Sequence, residues 1–215
     1  MTCSAARISL LYAAYDPAAL YRFFVLVGAD VHASWVPFLP AGLVAPCQSS
    51  PLGVRLLSRF LLHRFHDLRV PDLLMLAPEH RWLLAPRVAL AARARAIGAR
   101  ALAPRLRMYA ARERGDSLRE AFGEALCEAA LGSEPIGLRG VPWRAIEAWA
   151  EPREIAAFAE RVGVGLMLQA LADSERGLRR RLGLRFPREY TNRGSWRAAA
   201  ANLAPVRAQL APCSQ

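Results

Sequence analysis

Lysine is absent from this 215-residue sequence, and all 29 basic side chains are arginine. Phosphate neutralisation works with either cation, so a nucleic-acid binder has no physical reason to exclude lysine. Conversion of lysine to arginine throughout a GC-rich genome explains the exclusion more simply. The isoelectric point near 10.8 therefore argues less strongly for nucleic acid or anionic membrane than such a value normally does. Cysteine is scarce too. Cys3, Cys47, Cys127 and Cys213 lie far apart, with no C-x-x-C and no metal-ligand spacing, which argues for a reducing compartment and against disulfides. No uncharged apolar run reaches the length of a membrane span; even 18–31 is broken by Arg22 and Asp30. The apolar run at 8–14 meets Asp16-Pro17 without a convincing cleavage site, so no signal peptide is read. Catalytic signatures are also missing, with no G-x-S-x-G, P-loop or zincin sequence. The expectation is a cytoplasmic, non-enzymatic protein with no cofactor, no metal, no small-molecule substrate and no membrane insertion.

What is present is apolar and helix-forming. Hydrophobic residues make up 54% of the chain, and the excess is mostly alanine and leucine, the best helix formers. The expected fold is all-α: one compact, irregular multi-helix domain over 1–215 with Pro/Gly-rich connectors and at most a minor short strand pair. Charge is strongly segregated. Residues 1–80, 81–114, 115–175 and 176–215 carry +1, +8, −6 and +8, which gives the chain electrostatic complementarity toward itself or toward a partner.

Helix starts recur. Asp16-Pro17 and Ser50-Pro51 each place an N-cap and a first-turn proline, predicting helices over 18–27 and 52–68. The second has Leu56, Leu57, Phe60, Leu61 and Phe65 at helical spacing. Residues 35–51, with Pro37, Pro40, Gly42 and Pro46, read as an irregular connector. An Ala/Arg helix is predicted over 88–102, with Leu90, Ala94, Ile97 and Ala101 buried and Pro104 as its end. The next is predicted over 117–131, capped by Ser117-Leu118-Arg119-Glu120, lined by Leu118, Phe122, Ala125 and Ala129, and stopped by Gly132. Residues 153–172 form the longest apolar helix. A last helix falls within 195–210, a frayed tail covers 205–215, and Leu182–Phe186 alternates weakly.

Five groups of side chains invite a functional reading. His63 and His66 stand three apart next to Asp67; without further ligands, two histidines on an arginine-rich helix are the plainer reading. Gly163-Val164-Gly165 lacks the third glycine and preceding strand of a dinucleotide loop and fits close helix packing better. Asp116, Glu120, Glu124 and Glu128 form an acidic stripe that either faces Arg93, Arg100 or Arg107 of the preceding helix or serves as a docking face. Trp143 and Trp149, after a Gly/Pro loop, are core residues or interface anchors. Arg179, Arg180 and Arg181 are the strongest exposed candidates, because three successive helical side chains point about 100° apart and cannot all pair internally. A solvated basic turn is the alternative.

Two segments taken together carry a family resemblance. One is Ala96-Ile97-Gly98-Ala99-Arg100 with Leu102, Leu106 and the 122–131 helix. The other is Gly165-Leu166-Met167-Leu168-Gln169-Ala170-Leu171-Ala172 followed by Arg181-Leu182-Gly183-Leu184-Arg185-Phe186-Pro187. Their order and spacing resemble the SctK (YscK- and PscK-like) family of type III secretion sorting-platform proteins across 73–187, with a departure at Ala94-Arg95. Residues 1–72 carry no resemblance. The resemblance implies a mostly helical adaptor, cytoplasmic and held at the inner membrane through protein contacts. It would join an SctD-like inner-membrane ring cytosolic domain to an SctQ-like pod protein, and it supplies no catalytic residue. Candidate partner-binding residues are Arg179, Arg180, Arg181, Arg185, Trp143, Trp149, Glu120, Glu124 and Glu128. The alternative is a nucleic-acid or anionic-membrane binder using the 81–114 and 176–215 blocks.

Overall fold

The computed structural model describes residues 15–68, 76–111, 115–132, 134, 136, 138–139, 151–174, 176–191, 197–198 and 203–211. The all-α expectation holds. The described helices are α1 (Pro17–Phe24), α2 (Ala41–Ser49), α3 (Pro51–Arg64), α4 (Arg87–Tyr109), α5 (Gly115–Phe122), α6 (Glu124–Gly132), α7 (Pro152–Ala170), α8 (Arg176–Leu184), α9 (Arg188–Thr191) and α10 (Ala204–Leu210). One two-residue antiparallel ladder pairs Leu138–Arg139 (β1) with Arg197–Ala198 (β2). The weakly alternating 182–186 stretch is instead the end of α8 and the turn after it.

The chain divides into two compact units that interleave in sequence. One holds residues 1–87, 174–188 and 211–215; the other holds 88–173 and 189–210.

In the first unit, Asp16 accepts a bond from the Ala18 amide at 2.9 Å and Pro17 opens α1, so the predicted cap is the observed one. Ser50 and Pro51 start α3 in the same way, the serine oxygen accepting from Gly53 at 3.4 Å. Helix α3 stops at Arg64, short of the expected 68, and a separate 3-10 turn takes His66–Leu68. Its buried side chains are Val54, Leu57, Ser58 and Leu61; Leu56, expected in the core, is 59% exposed. The expected connector at 35–51 contains α2, which runs through Pro46. The core of this unit gathers Val27, Val31, Trp35, Val36, Val44, Leu57, Leu61, Leu68 and Leu184. Each large apolar side chain buried there contributes about 2 kcal/mol against the entropy of ordering. Two polar side chains, Ser58 and Gln48, reach the interior with their hydrogen bonds made. Ser58 Oγ accepts from the Gly28 amide at 3.0 Å and donates to the Val54 carbonyl at 2.7 Å. Gln48 donates to the carbonyls of Gly28 and Val31 at 3.1 and 2.8 Å. The end of α8 is fastened to the 32–35 turn: His32 N–H donates to the Leu184 carbonyl at 2.7 Å and Trp35 Nε1–H to the Phe186 carbonyl at 2.9 Å.

In the second unit the predicted stripe of Leu90, Ala94, Ile97 and Ala101 is buried. Helix α4 does not end at Pro104 but continues to Tyr109, held by buried Leu102, Ala103 and Leu106. It crosses α7 at contact distance. A Cβ placed on Gly98 would lie 1.8 Å from the Ala159 carbonyl oxygen, and one on Gly163 would lie 1.8 Å from that of Ala94. The close-packing reading of Gly163 is therefore the structural one. The predicted 117–131 helix is two helices. Gly123 adopts φ +76° between α5 and α6, a left-handed conformation open to glycine at little cost. Helix α5 already begins at Gly115, so Ser117 lies inside it rather than capping it, and the buried positions are Leu118, Cys127 and Ala130. Phe122 is half-buried, and Ala125 and Ala129 are exposed.

Candidate protein interface

The arginine tract sits on α8, whose one face turns into the first unit. The expectation that Arg179–Arg181 form an exposed group fails at Arg181, which is 3% exposed, and Arg185 is buried as well. Arg181 donates to the carbonyls of Leu68 at 2.7 Å and of Phe24 and Gly177 at 3.4 Å. Its guanidinium also lies 5.0 Å from the Phe24 ring centroid and 5.9 Å from that of Phe23, within cation–π range. Arg185 donates to the Leu83 and Ala85 carbonyls at 2.8 and 2.9 Å and reaches Asp30 at 3.4 Å. Burial pulls the Arg185 guanidinium below its ordinary range, with Asp30 opposing that shift and Arg22 adding to it. Arg180 is half-buried, pairs with Asp67 at 3.2 Å and lies 4.9 Å from the Phe65 centroid. Arg179 is half-buried.

The tract is therefore a strap. Its acceptors are not carboxylates alone but carbonyls at helix and turn ends: Phe24 closes α1, Leu68 closes the 66–68 turn, and Leu83 and Ala85 lie at the end of the 78–84 turn. Such ends carry partial negative charge. Successive arginines diverge by about 100° on a helix, yet α8 is flanked by enough elements to receive most of them. Arg22, Asp30, Arg181 and Arg185, with Phe23, Leu26 and Val27, line a small open pocket of about 10 Å³, room for roughly one water. Arg22 binds Asp30 through two nitrogens, at 2.6 and 3.2 Å, and that pairing raises the Arg22 pKa.

The acidic stripe behaves in the opposite way. Arg100 Nε–H donates to the Glu134 carbonyl at 3.0 Å and Arg107 Nε–H to the Leu131 carbonyl at 2.7 Å, so both arginines engage backbone near the end of α6. Glu120, Glu124 and Glu128 are all exposed, and among the described residues none forms an ion pair or side-chain hydrogen bond. Asp116 does pair, with Arg119 at 2.7 Å, an exposed contact worth about 0–1 kcal/mol. The intramolecular expectation thus gives way to an open acidic ladder across the α5–α6 break. Trp143 and Trp149 lie outside the described residues. His63 and His66 are exposed but belong to different elements, α3 and the 66–68 turn. Buried Cys127 has its thiol pKa pushed up by burial, partly offset by Arg119. Sequence reading missed the exposed apolar side chains Phe38, Leu43, Leu52 and Leu56, because helical spacing alone assigned Leu56 to the core.

No family model, no curated protein and no solved structure matches this chain. Among the described residues, no helix is long and apolar enough to cross a membrane.

Proposed function

We propose that the chain is a non-enzymatic helical adaptor acting by protein docking. In the setting its SctK-like resemblance indicates, it joins an SctD-like inner-membrane ring cytosolic domain to an SctQ-like pod protein in a type III secretion sorting platform. The observation that carries the docking reading is the open ladder of Glu120, Glu124 and Glu128. Nearby arginines bind backbone carbonyls instead, so the ladder remains available to a basic partner. Complementary charge of this kind sets encounter rate and partner choice more than affinity. The test is Glu120→Arg/Glu124→Arg/Glu128→Arg. Capture of one of the two partners is lost while the circular dichroism spectrum is unchanged, because all three side chains are exposed. Full capture of both partners by the folded triple variant would refute the assignment.

A further inference from the structure

The outward face of α3 carries charge and apolar surface that the fold does not use. Leu52 is 66% and Leu56 59% exposed, one turn apart, and Leu43 on neighbouring α2 is 50% exposed. Leu52 and Leu56, neighbours on one helix face, mark an interaction surface rather than ordinary surface scatter. Arg55, Arg59 and Arg64 are exposed on the same helix. Among the described residues none of the three has a side-chain hydrogen bond or an ion pair. That separates them from Arg181 and Arg185, which are committed to the interior.

The local charge has one sign. No aspartate or glutamate occurs between residues 31 and 66. The acids that bracket this stretch are already neutralised: Asp30 by Arg22 and Arg185, and Asp67 by Arg180. At 100° per residue, Leu52 and Leu56 lie side by side on α3, with Arg55 and Arg59 along one flank and Arg64 beyond the other. Helix α2 adds exposed Gly42, Leu43, Ala45 and Pro46, all uncharged. A helix face of protruding leucines edged by arginines suits the headgroup layer. There the leucines enter the acyl boundary, and the arginine stems extend along it with their guanidinium groups at the phosphates. An acidic partner helix would engage the arginines equally well, but the uncharged α2 surface would offer it no polar register, whereas a lipid interface accepts it without one.

We infer that the α2–α3 face is a peripheral contact for an anionic lipid surface, with Leu43, Leu52 and Leu56 entering the interface and Arg55, Arg59 and Arg64 binding lipid phosphates. This inference does not depend on the adaptor reading. The experiment is co-sedimentation of the full chain with vesicles of phosphatidylcholine alone or with phosphatidylglycerol added, and in parallel with poly-glutamate in solution. Binding is expected only to the phosphatidylglycerol vesicles. Each unit charge near such a surface is worth about fivefold, and Arg55→Glu/Arg59→Glu changes four, so it lowers partitioning by roughly 600-fold. Leu52→Ser/Leu56→Ser leaves net charge unchanged and lowers it about tenfold. The serine pair separates this site from the general attraction of a chain with net charge +11. Equal binding by the serine variant overturns the inference in favour of bulk charge. Capture of poly-glutamate with vesicles unbound overturns it in favour of an acidic protein, and no binding to any probe overturns it outright.

Discussion

Replacing Gly163 by alanine tests the tightest contact in the second unit. In an open helix this change stabilises by about 1 kcal/mol, because glycine has the greater backbone freedom to lose. Here the new methyl would lie 1.8 Å from the Ala94 carbonyl oxygen and 2.5 Å from its carbon. An ordinary carbon–oxygen approach is about 3.3 Å, so α4 and α7 would have to part by roughly 1.5 Å. The obstacle is backbone and cannot rotate aside. The cost should lie at the upper end of the 1–3 kcal/mol typical of overpacking, or beyond it. Set against the propensity gain, the net loss is about 2 kcal/mol, a fall in Tm of roughly 5 °C or more. Gly98→Ala should behave alike, since its methyl meets the Ala159 oxygen at 1.8 Å. The double variant should lose less than the sum, because the first methyl already separates the helices. Gly115, at the start of α5 with nothing within 4 Å of a placed Cβ, is the control and should gain or stay level. Thermal melts followed by circular dichroism read all four. A Gly163→Ala protein at or above the wild-type midpoint would refute the crossing geometry.

Three further changes probe the first unit. Arg181→Glu should abolish its folded signal rather than a binding activity, because a carboxylate would face the Leu68 and Phe24 carbonyls; the intrinsic fluorescence of Trp35 and Trp82 reports it, and a native spectrum contradicts the strap. Arg185→Lys keeps the charge but cannot reproduce two nitrogens serving Leu83, Ala85 and Asp30, so it should cost about 2 kcal/mol in a urea titration. As the control outside that unit, Arg153→Lys, 83% exposed, should cost nothing measurable. Tyr15 donates to the Leu76 carbonyl at 3.1 Å, and burial pushes its phenol above the ordinary 10.0, partly offset by Arg81. The unfolded chain therefore ionises first, and stability complete below pH 10 is lost as pH rises through the higher folded value. Tyr15→Phe should be about 1 kcal/mol less stable near neutrality, and the gap should close above pH 10; a gap constant with pH would refute the assignment.

Helix starts and one helix face were legible in the sequence. Asp16-Pro17 and Ser50-Pro51 declare themselves because their chemistry is local. The 90, 94, 97, 101 stripe is legible because burial follows helical period. Breaks were less legible. Pro46 and Pro104 remain inside helices although proline costs about 3 kcal/mol there; for α4, buried Leu102, Ala103 and Leu106 hold both sides of Pro104. Conversely Gly123, unmarked by any turn sequence, splits a stretch with good helical spacing. Of the candidate site, the acidic ladder was placed correctly along the chain, and of its two alternatives the described residues leave Glu120, Glu124 and Glu128 facing solvent. The arginine tract was placed correctly but assigned to the wrong side of the surface.

That last inversion has a general physical source. Counting acids against arginines treats carboxylates as the only counter-charges, and by that count residues 176–215 are strongly unbalanced. The fold supplies a second set of acceptors, the carbonyls near the ends of α1, α6 and the short 3-10 turns, and arginine suits them better than lysine. A guanidinium offers five donors in a plane; one Arg185 nitrogen reaches two carbonyls while another reaches Asp30. Arg181 joins the ends of α1 and the 66–68 turn to its own helix, and Arg107 does the same for α6. Formal charge is thus a poor guide to electrostatic exposure in this chain. Burial against helix ends consumes part of the positive excess, whereas Glu120, Glu124 and Glu128 retain theirs at the surface. Among the described residues, Arg55, Arg59 and Arg64, three of the arginines left facing solvent without partners, lie in the part of the sequence whose net charge looked least informative.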